Sequence, residues 1–233
     1  MRFAVTRPLP DGERTAAALR ARGHEVLLTP LLRTEPVAAD LSGDWAGVIV
    51  TSANALRAVT GQLAPLTALP LYAVGVRTAQ IAREASFKTV SSAEGGAAAL
   101  AELIGTKAAM VAGPLLYLAA EQRSADLEQL LKPHGVTVAT KIVYRTVALP
   151  LPQPLIDALT GRRLDGVLHY SRRSAEALLA GAAVTGLLAP TLALRHVCLS
   201  DQIAAPLAEA GAKTIAVAAT PDENAMISRA GDA

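Results

Sequence analysis

The feature that most restricts the fold of this chain is a repeat that returns out of order. Trp45-Ala46-Gly47-Val48-Ile49-Val50-Thr51-Ser52 is similar to Leu164-Asp165-Gly166-Val167-Leu168-His169-Tyr170-Ser171. Ala73-Val74-Gly75 followed by Thr78-Ala79 is similar to Cys198-Leu199-Ser200 followed by Ile203-Ala204, and Leu131, Gly135 and Val138 match Leu19, Gly23 and Val26. The middle of the chain therefore runs strand-Ser, strand-Gly, strand-loop-helix, whereas the other copy carries its last unit at the N-terminus. Two similar domains, one inserted in the other, account for this order. The expected division is a discontinuous domain of residues 1–36 plus 147–233 and an inserted domain of residues 37–146. The competing reading is a single doubly wound domain with chance similarity.

The local pattern names the fold class. Short apolar strands at Phe3–Thr6, Glu25–Thr29, Trp45–Val50, Leu71–Gly75, Lys88–Val90 and Leu115–Leu118 alternate with helical stretches, as parallel sheets in an α/β fold require. The helices are read over Thr15–Arg22, after the cap Thr51-Ser52-Ala53-Asn54 with Ala55, Ala58 and Val59 on the apolar face, over Thr78–Ala85, around Leu100 and Ile104, and around Leu127 to Leu131. Lys141 to Pro150 alternates, with Ile142, Tyr144 and Thr146 on one side and Val143, Arg145 and Val147 on the other, and Pro150, Pro152 and Pro154 close it. That predicts an exposed or edge strand running into a connector. Leu31 to Pro36 is a comparable stretch, so the chain is expected to leave one domain early and return late, with Tyr144 beside the hinge of an interdomain cleft.

Composition excludes several function classes. The 22 basic and 20 acidic residues leave a formal charge of only +2, so no global field favours nucleic acid or a membrane surface. The single cysteine, Cys198, rules out an internal disulfide framework; within His196-Val197-Cys198-Leu199 it reads as a small buried hydrophobe. The first residues lack the apolar core of a signal peptide, and the longest apolar run, Ala108 to Ala120, is interrupted by Gly113 and Pro114 and too short to span a bilayer. The expectation is a cytoplasmic monomer.

Chemistry is expected beyond the carboxyl ends of the strands, where loops lead into helix N-termini with free N–H groups. The rim loops are Thr6-Arg7-Pro8, Thr51-Ser52-Ala53-Asn54, Gly75-Val76-Arg77-Thr78, Ala120-Glu121-Gln122-Arg123-Ser124, Ser171-Arg172-Arg173-Ser174 and Ser200-Asp201-Gln202. Rich in Ser, Thr, Asn and Arg, they suit carboxylates or phosphates, although each Ser or Asn can also simply cap a helix. There is no Gly-x-Gly-x-x-Gly after the first strand and no Walker loop, so nucleotide binding is unsupported. His24, His134, His169 and His196 show no metal-ligand spacing. His24 and His134 read as solvated turn residues and His169 as a buried, satisfied histidine.

Taken together, Val5-Thr6-Arg7-Pro8, Thr51-Ser52-Ala53-Asn54-Ala55, Ala73-Val74-Gly75 with Thr78-Ala79, Val143-Tyr144-Arg145-Thr146, Tyr170-Ser171-Arg172-Arg173-Ser174-Ala175 and Cys198-Leu199-Ser200 with Ile203-Ala204 resemble the uroporphyrinogen-III synthase family over essentially the whole chain. The resemblance implies two flavodoxin-like parallel-sheet domains, one inserted in the other and joined by a two-stranded linker. It also implies the conversion of the linear tetrapyrrole hydroxymethylbilane to uroporphyrinogen III. The first ring loses its hydroxyl to give an azafulvene cation, the last ring attacks at its substituted carbon, and the resulting spiro intermediate fragments and recloses with that ring inverted. The pyrroles stabilise the cation themselves, so no cofactor or metal is called for; the protein's task is to hold the chain against uninverted closure.

By the same resemblance Tyr144 is the family's linker tyrosine, which hydrogen-bonds or protonates the departing hydroxyl; a phenol of ordinary pKa near 10 is protonated at pH 7, as a donor must be. Packing is its bland alternative. Arg7, Ser52, Asn54, Gly75, Thr78, Arg123, Ser171, Arg173, Ser174 and Ser200 are the expected substrate-binding positions for a molecule with eight carboxylates. Two positions depart from the family pattern: Ala120 stands where glycine is frequent, and Asp201 would face a polyanion. Two rivals remain: a non-catalytic tetrapyrrole-binding or regulatory module on the same scaffold, and a periplasmic-type binding protein, against which the missing export signal argues.

Overall fold

A computed structural model describes residues 1–108, 112–123 and 125–231; positions 109–111 of the long apolar run and Ser124 of the fourth rim loop lie outside the described residues. The strands are β1 (Arg2–Val5), β2 (Glu25–Leu28), β3 (Leu32–Pro36), β4 (Gly47–Val50), β5 (Leu71–Val74), β6 (Val90–Ala93), β7 (Leu115–Ala120), β8 (Val138–Ala148), β9 (Gly166–His169), β10 (Arg195–Cys198) and β11 (Ile215–Val217). The helices are α1 (Asp11–Arg20), α2 (Ala53–Ala58), α3 (Gly75–Glu84), α4 (Gly96–Gly105), α5 (Leu127–Leu131), α6 (Gln153–Thr160), α7 (Arg172–Val184), α8 (Leu188–Leu192), α9 (Asp201–Glu209) and α10 (Glu223–Gly231). The chain divides into two compact units, Met1–Arg33 with Val147–Ala233, and Thr34–Thr146.

The first unit carries a sheet in the order β11-β10-β9-β1-β2, parallel throughout. The second carries β6-β5-β4-β7-β8, also parallel, with β3 added at the edge beside β8. Superposing the two orders sets β4 on β9, β5 on β10, β6 on β11, β7 on β1 and β8 on β2. The second sheet is thus the first one with its opening strand pair moved to the end, and this is the out-of-order repeat expressed as topology. The first sheet has the flavodoxin order; in both, the chain turns outward from a central pair, and crevices for ligands open at that switch point.

The registers agree residue by residue. Gly47 pairs with Leu115 as Gly166 pairs with Phe3, and Val48 pairs with Leu71 as Val167 pairs with His196. Both glycines are there for close approach: a Cβ on Gly47 would lie 2.9 Å from the Pro70 carbonyl, and one on Gly166 would lie 2.6 Å from the Arg195 carbonyl.

Each sheet is covered on both faces, which is why its strands are continuously apolar. In the second unit Val48, Val50, Leu116 and Leu118 pack under α2 and α3 with Ala55, Leu56 and Ala79. The alternate residues Ile49, Leu115, Tyr117 and Ala119 pack under α4 and α5 with Leu100, Ile104, Leu127 and Leu131. In the first unit Ala4 and Val167 face α6 and α7, whereas Phe3, Val5 and Leu168 face α1 and α10.

Lys141–Pro150 differs from its expected form. Strand β8 is eleven residues long and lies inside the sheet between β7 and β3, so β3 is the edge strand. The Val37 amide donates to the Val143 carbonyl and Arg145 pairs with Glu35, so β3 and β8 run in opposite directions. The strict alternation also fails: Ala119 pairs with Ile142 but Ala120 pairs with Tyr144, an irregularity that skips Val143. Val143 and Tyr144 consequently both enter the same core cluster, while Ile142 packs in the other. A bulge of this kind re-aims a side chain without ending the strand. No helix among the described residues is long and apolar enough to cross a membrane.

Candidate functional site

At the switch point of the second unit, the carboxyl ends of β4 and β7 border a cavity of about 250 Å³. Its walls bring together Thr51 and Ser52 after β4, Tyr117 and Ala120 of β7, Tyr144 of β8, the start of α4 at Gly96 and Ala97, and Arg123. The bulge delivers Tyr144 here: the residue is 7% exposed, its ring is in the core and the side chain lines the cavity. Ser52 caps α2, its Oγ accepting from the Asn54 amide at 3.2 Å. Gly95 and Gly96, with φ of +103° and +85°, turn the chain into α4 in a conformation that side chains resist.

Arg123 supplies the cavity's positive charge and is held at 2.8 Å by Glu128. Glu128 also accepts from Thr140, and although burial pushes its pKa up, these hydrogen bonds and the Arg123 charge win and hold it down at about 2. Tyr117 lies on the wall with its hydroxyl 3.0 Å from Thr51 Oγ1. Burial raises its pKa, so it stays protonated. An arrangement of phenols, hydroxyls, helix N–H groups and one guanidinium around a small crevice donates hydrogen bonds and accepts few. It suits anionic groups on a larger molecule.

The remaining expected positions of this unit lie nearby in sequence but not on the cavity wall. Asn54 accepts from Arg57 at 3.0 Å. Gly75, φ +78°, turns β5 into α3, and Thr78 is buried in that helix.

The first unit treats its switch point differently. Arg7, following β1, places its guanidinium 4.1 Å from the centre of the Tyr170 ring. Glu223, the first residue of α10, accepts from Arg7 Nη1 at 3.3 Å, from Thr15 Oγ1 at 2.6 Å and from Arg14 Nε at 2.9 Å. Asp11 adds a second carboxylate, 2.8 Å from Arg14. Burial lowers the pKa of Arg7 against the pull of Asp11, Tyr170 and Glu223, and burial pushes Tyr170 up to about 12. Ser171 caps α7, accepting from the Ser174 amide at 3.1 Å, with its hydroxyl 2.8 Å from that of Ser174, which is buried. Arg173 is half-buried in the first turn of α7, and Ser200 precedes α9 without a side-chain capping bond.

The histidines and the cysteine also have definite places. His134 lies 3.6 Å from Glu102, and His24 meets the Phe3 ring edge-on. Cys198 is buried and burial pushes its thiol up to about 12, leaving a hydrophobe. His169 and His196 are fully buried, with His169 Nε2 3.0 Å from His196 Nδ1 and His196 Nε2 3.1 Å from the Thr191 carbonyl. The carbonyl requires a proton on His196 Nε2, so His169 Nε2 donates to His196 Nδ1. His169 Nδ1 is then a buried acceptor with no partner among the described residues, so the expectation of a fully satisfied His169 fails at one atom.

Sequence reasoning did not find Thr51 and Tyr117 as a pair, nor Glu223. Tyr117 reads as one more apolar residue in Leu115-Leu116-Tyr117-Leu118, and only the pairing of β4 with β7 brings Thr51 to it.

Comparison with known proteins adds the lineage. The family model described as uroporphyrinogen-III synthase HemD matches residues 13–228. Comparison with curated protein sequences finds no significant match. Among solved structures, the crystal structure of uroporphyrinogen-III synthetase from Helicobacter pylori 26695 is similar at 19% identity, covering 99% of this chain and 98% of that one with a TM-score of 0.68. A substituted uroporphyrinogen III synthase from the extremely thermophilic bacterium Thermus thermophilus is similar at 20% identity, covering 98% and 96% of the two chains with a TM-score of 0.57. At such identities these likenesses speak to the fold, and the family model speaks to descent: this chain belongs to the uroporphyrinogen-III synthase family.

Proposed function

We infer that this protein is a uroporphyrinogen-III synthase, closing hydroxymethylbilane to uroporphyrinogen III with inversion of the last ring and loss of water. The observation that carries the reading is the family match over residues 13–228. The donor-lined cavity at the switch point supports it. At about 250 Å³ that cavity is smaller than the roughly 300–1,000 Å³ of sites enclosing a whole small ligand, so it takes one portion of the extended substrate with its carboxylates.

Within this reading Tyr144 is the residue that meets the departing hydroxyl. The phenol transfers its proton to the hydroxyl as the C–O bond breaks, so the oxygen leaves as water. The pyrrole nitrogen's electrons delocalise the charge left on the ring, and the proton released when the last ring recloses and rearomatises restores the phenol. Ser52, Arg123 and the N–H groups at the start of α4 hold carboxylates so that the chain stays bent while the last ring attacks, fragments and recloses. Arg7 plays no direct part while Glu223 and Asp11 occupy its guanidinium.

The test is isomer analysis of the product. The purified protein is expected to accelerate loss of hydroxymethylbilane and to yield the type III isomer; only the spontaneous type I product would reject the enzyme and leave the binding-module reading. Tyr144→Phe is expected to lower turnover by about tenfold, the low side of a general-acid contribution, with its unfolding midpoint unchanged. Wild-type turnover in that variant would assign the tyrosine to packing.

A further inference from the structure

The paired hydroxyls of Thr51 and Tyr117 are not demanded by the fold. At the same register the first unit has Val5 in place of Tyr117 and Tyr170 in place of Thr51, and its sheet closes without any such pair. In the second unit the Tyr117 ring is 2% exposed, packed with Ile49, Leu100 and Leu127, and its hydroxyl reaches only Thr51 among the described residues. A phenol is a stronger donor than an aliphatic hydroxyl, so within the pair Tyr117 donates and Thr51 accepts. The Thr51 proton is left over, on a residue that lines the cavity alongside Arg123 and has no other side-chain partner among the described residues. A hydroxyl that already accepts from a phenol is polarised into a better donor.

We propose that Thr51 donates its hydroxyl proton to one side-chain carboxylate of the tetrapyrrole, with Tyr117 as the positioning residue that holds the threonine in that orientation. This rests on the synthase reading and deepens it, because it assigns the Thr51 side of the cavity to an acetate or propionate arm of the substrate and leaves the Tyr144 side to the carbon undergoing substitution. It also divides the labour of the two tyrosines on the cavity wall: Tyr144 acts on the leaving group, Tyr117 on substrate affinity.

The experiment compares wild type with Thr51→Val, Thr51→Ser, Tyr117→Phe and the Thr51→Val/Tyr117→Phe pair. It reads KM, kcat, the type I to type III ratio and equilibrium binding of the cyclic octacarboxylate product. Thr51→Val is expected to raise KM and weaken product binding by about tenfold, the effect of losing one hydrogen bond to a charged group, with kcat within about twofold. Thr51→Ser keeps the hydroxyl and is expected to restore most of the affinity. Tyr117→Phe shows a smaller change in the same direction, and the double variant is no weaker than Thr51→Val, since the tyrosine acts only through the threonine.

Unchanged KM and product affinity in Thr51→Val would overturn the proposal, as would a fall in kcat alone or full additivity in the double variant. Should Tyr117→Phe fold poorly, the Thr51→Val and Thr51→Ser comparison still decides the contact. The wild-type isomer assay is scored separately: type I product there sinks the synthase reading, whereas a type III product with unaltered Thr51→Val affinity sinks only this assignment.

Discussion

The two units build the same switch point and furnish it in opposite ways. In the first, Arg7, Tyr170 and Glu223 meet at the ends of β1 and β9 and at the start of α10, and they satisfy one another. In the second, the corresponding positions are Ala119, Thr51 and Gly96, and a cavity stands there instead. A scaffold that twice makes the same crevice needs a reason to leave one open, and side-chain size supplies it. Three large polar groups become one hydroxyl, one methyl and no side chain. The interior differs as well. The neighbouring-strand pair His169 and His196 of the first unit is replaced by Val50 and Leu71 in the second, so the buried polar contact is an addition to a core that is apolar in its twin.

The largest effect should come from that interior difference, read as stability against pH. Burial first, and for His169 the neighbouring His196 as well, lowers the two imidazoles from 6.5 to about 3 and about 4. The unfolded chain therefore binds more protons than the folded one below pH 6.5. The stability these residues contribute is complete above that value and is lost as the pH falls toward their folded pKa values. Together they steepen the loss of stability with falling pH across that window. Giving the first unit its twin's residues, His169→Val with His196→Leu, should flatten urea-unfolding stability between pH 6 and pH 4.5, as roughly set by those values. A slope equal to wild type would show that the pair is not what titrates. Glu128 acts in a separate, lower window: its pKa is depressed, so its contribution is lost only as pH falls from 4.5 toward about 2.

Next in size is a direct conversion of one crevice into the other. Ala97→Glu brings a carboxylate to the start of α4, as Glu223 does at the start of α10, and should occupy the open cavity beside Arg123. Turnover should fall by about 100-fold or more, the scale on which misplaced substrate is felt, while the circular dichroism spectrum stays that of wild type. Retained turnover would show that the cavity is not where substrate is held.

The converse change is smaller. Glu223→Gln keeps the shape but removes the charge that Arg7 and Arg14 share, and should cost about 1–3 kcal/mol in denaturant unfolding because two half-buried guanidinium groups are left with the single carboxylate of Asp11. A change below the measurement error would make the clasp an ordinary surface ion pair.

Much of this was legible beforehand because it is written in contiguous residues. Gly47 and Gly166, Ser52 and Ser171, and Gly75 and Ser200 sit at fixed offsets from apolar strands, and those offsets exposed the reordered repeat and hence the fold. Tyr144 stands in a motif and Arg123 in a rim loop, so both were among the expected positions, and both line the cavity. What escaped depends on pairings that no local pattern encodes. Glu223 meets Arg7 across 216 residues of sequence, Tyr117 meets Thr51 only because β7 lies against β4, and His169 finds His196 through the register of β9 on β10. The bulge at Ala120 is the clearest case. Alternation puts Val143 and Tyr144 on opposite faces, and one skipped residue in the partner strand's pairing brings both to the same side.

The interrupted first sheet has a consequence for biosynthesis. On the ribosome β1 and β2 emerge with one side of β1 bare, since the strand that covers it comes much later; the Arg2 amide waits for Asp165, 163 residues downstream. The second unit, contiguous from Thr34 to Thr146, has every strand of its own parallel sheet available long before then. Nascent chains should therefore acquire protease resistance in the middle first, with the leading segment remaining a cleavable tail until the last third of translation is complete.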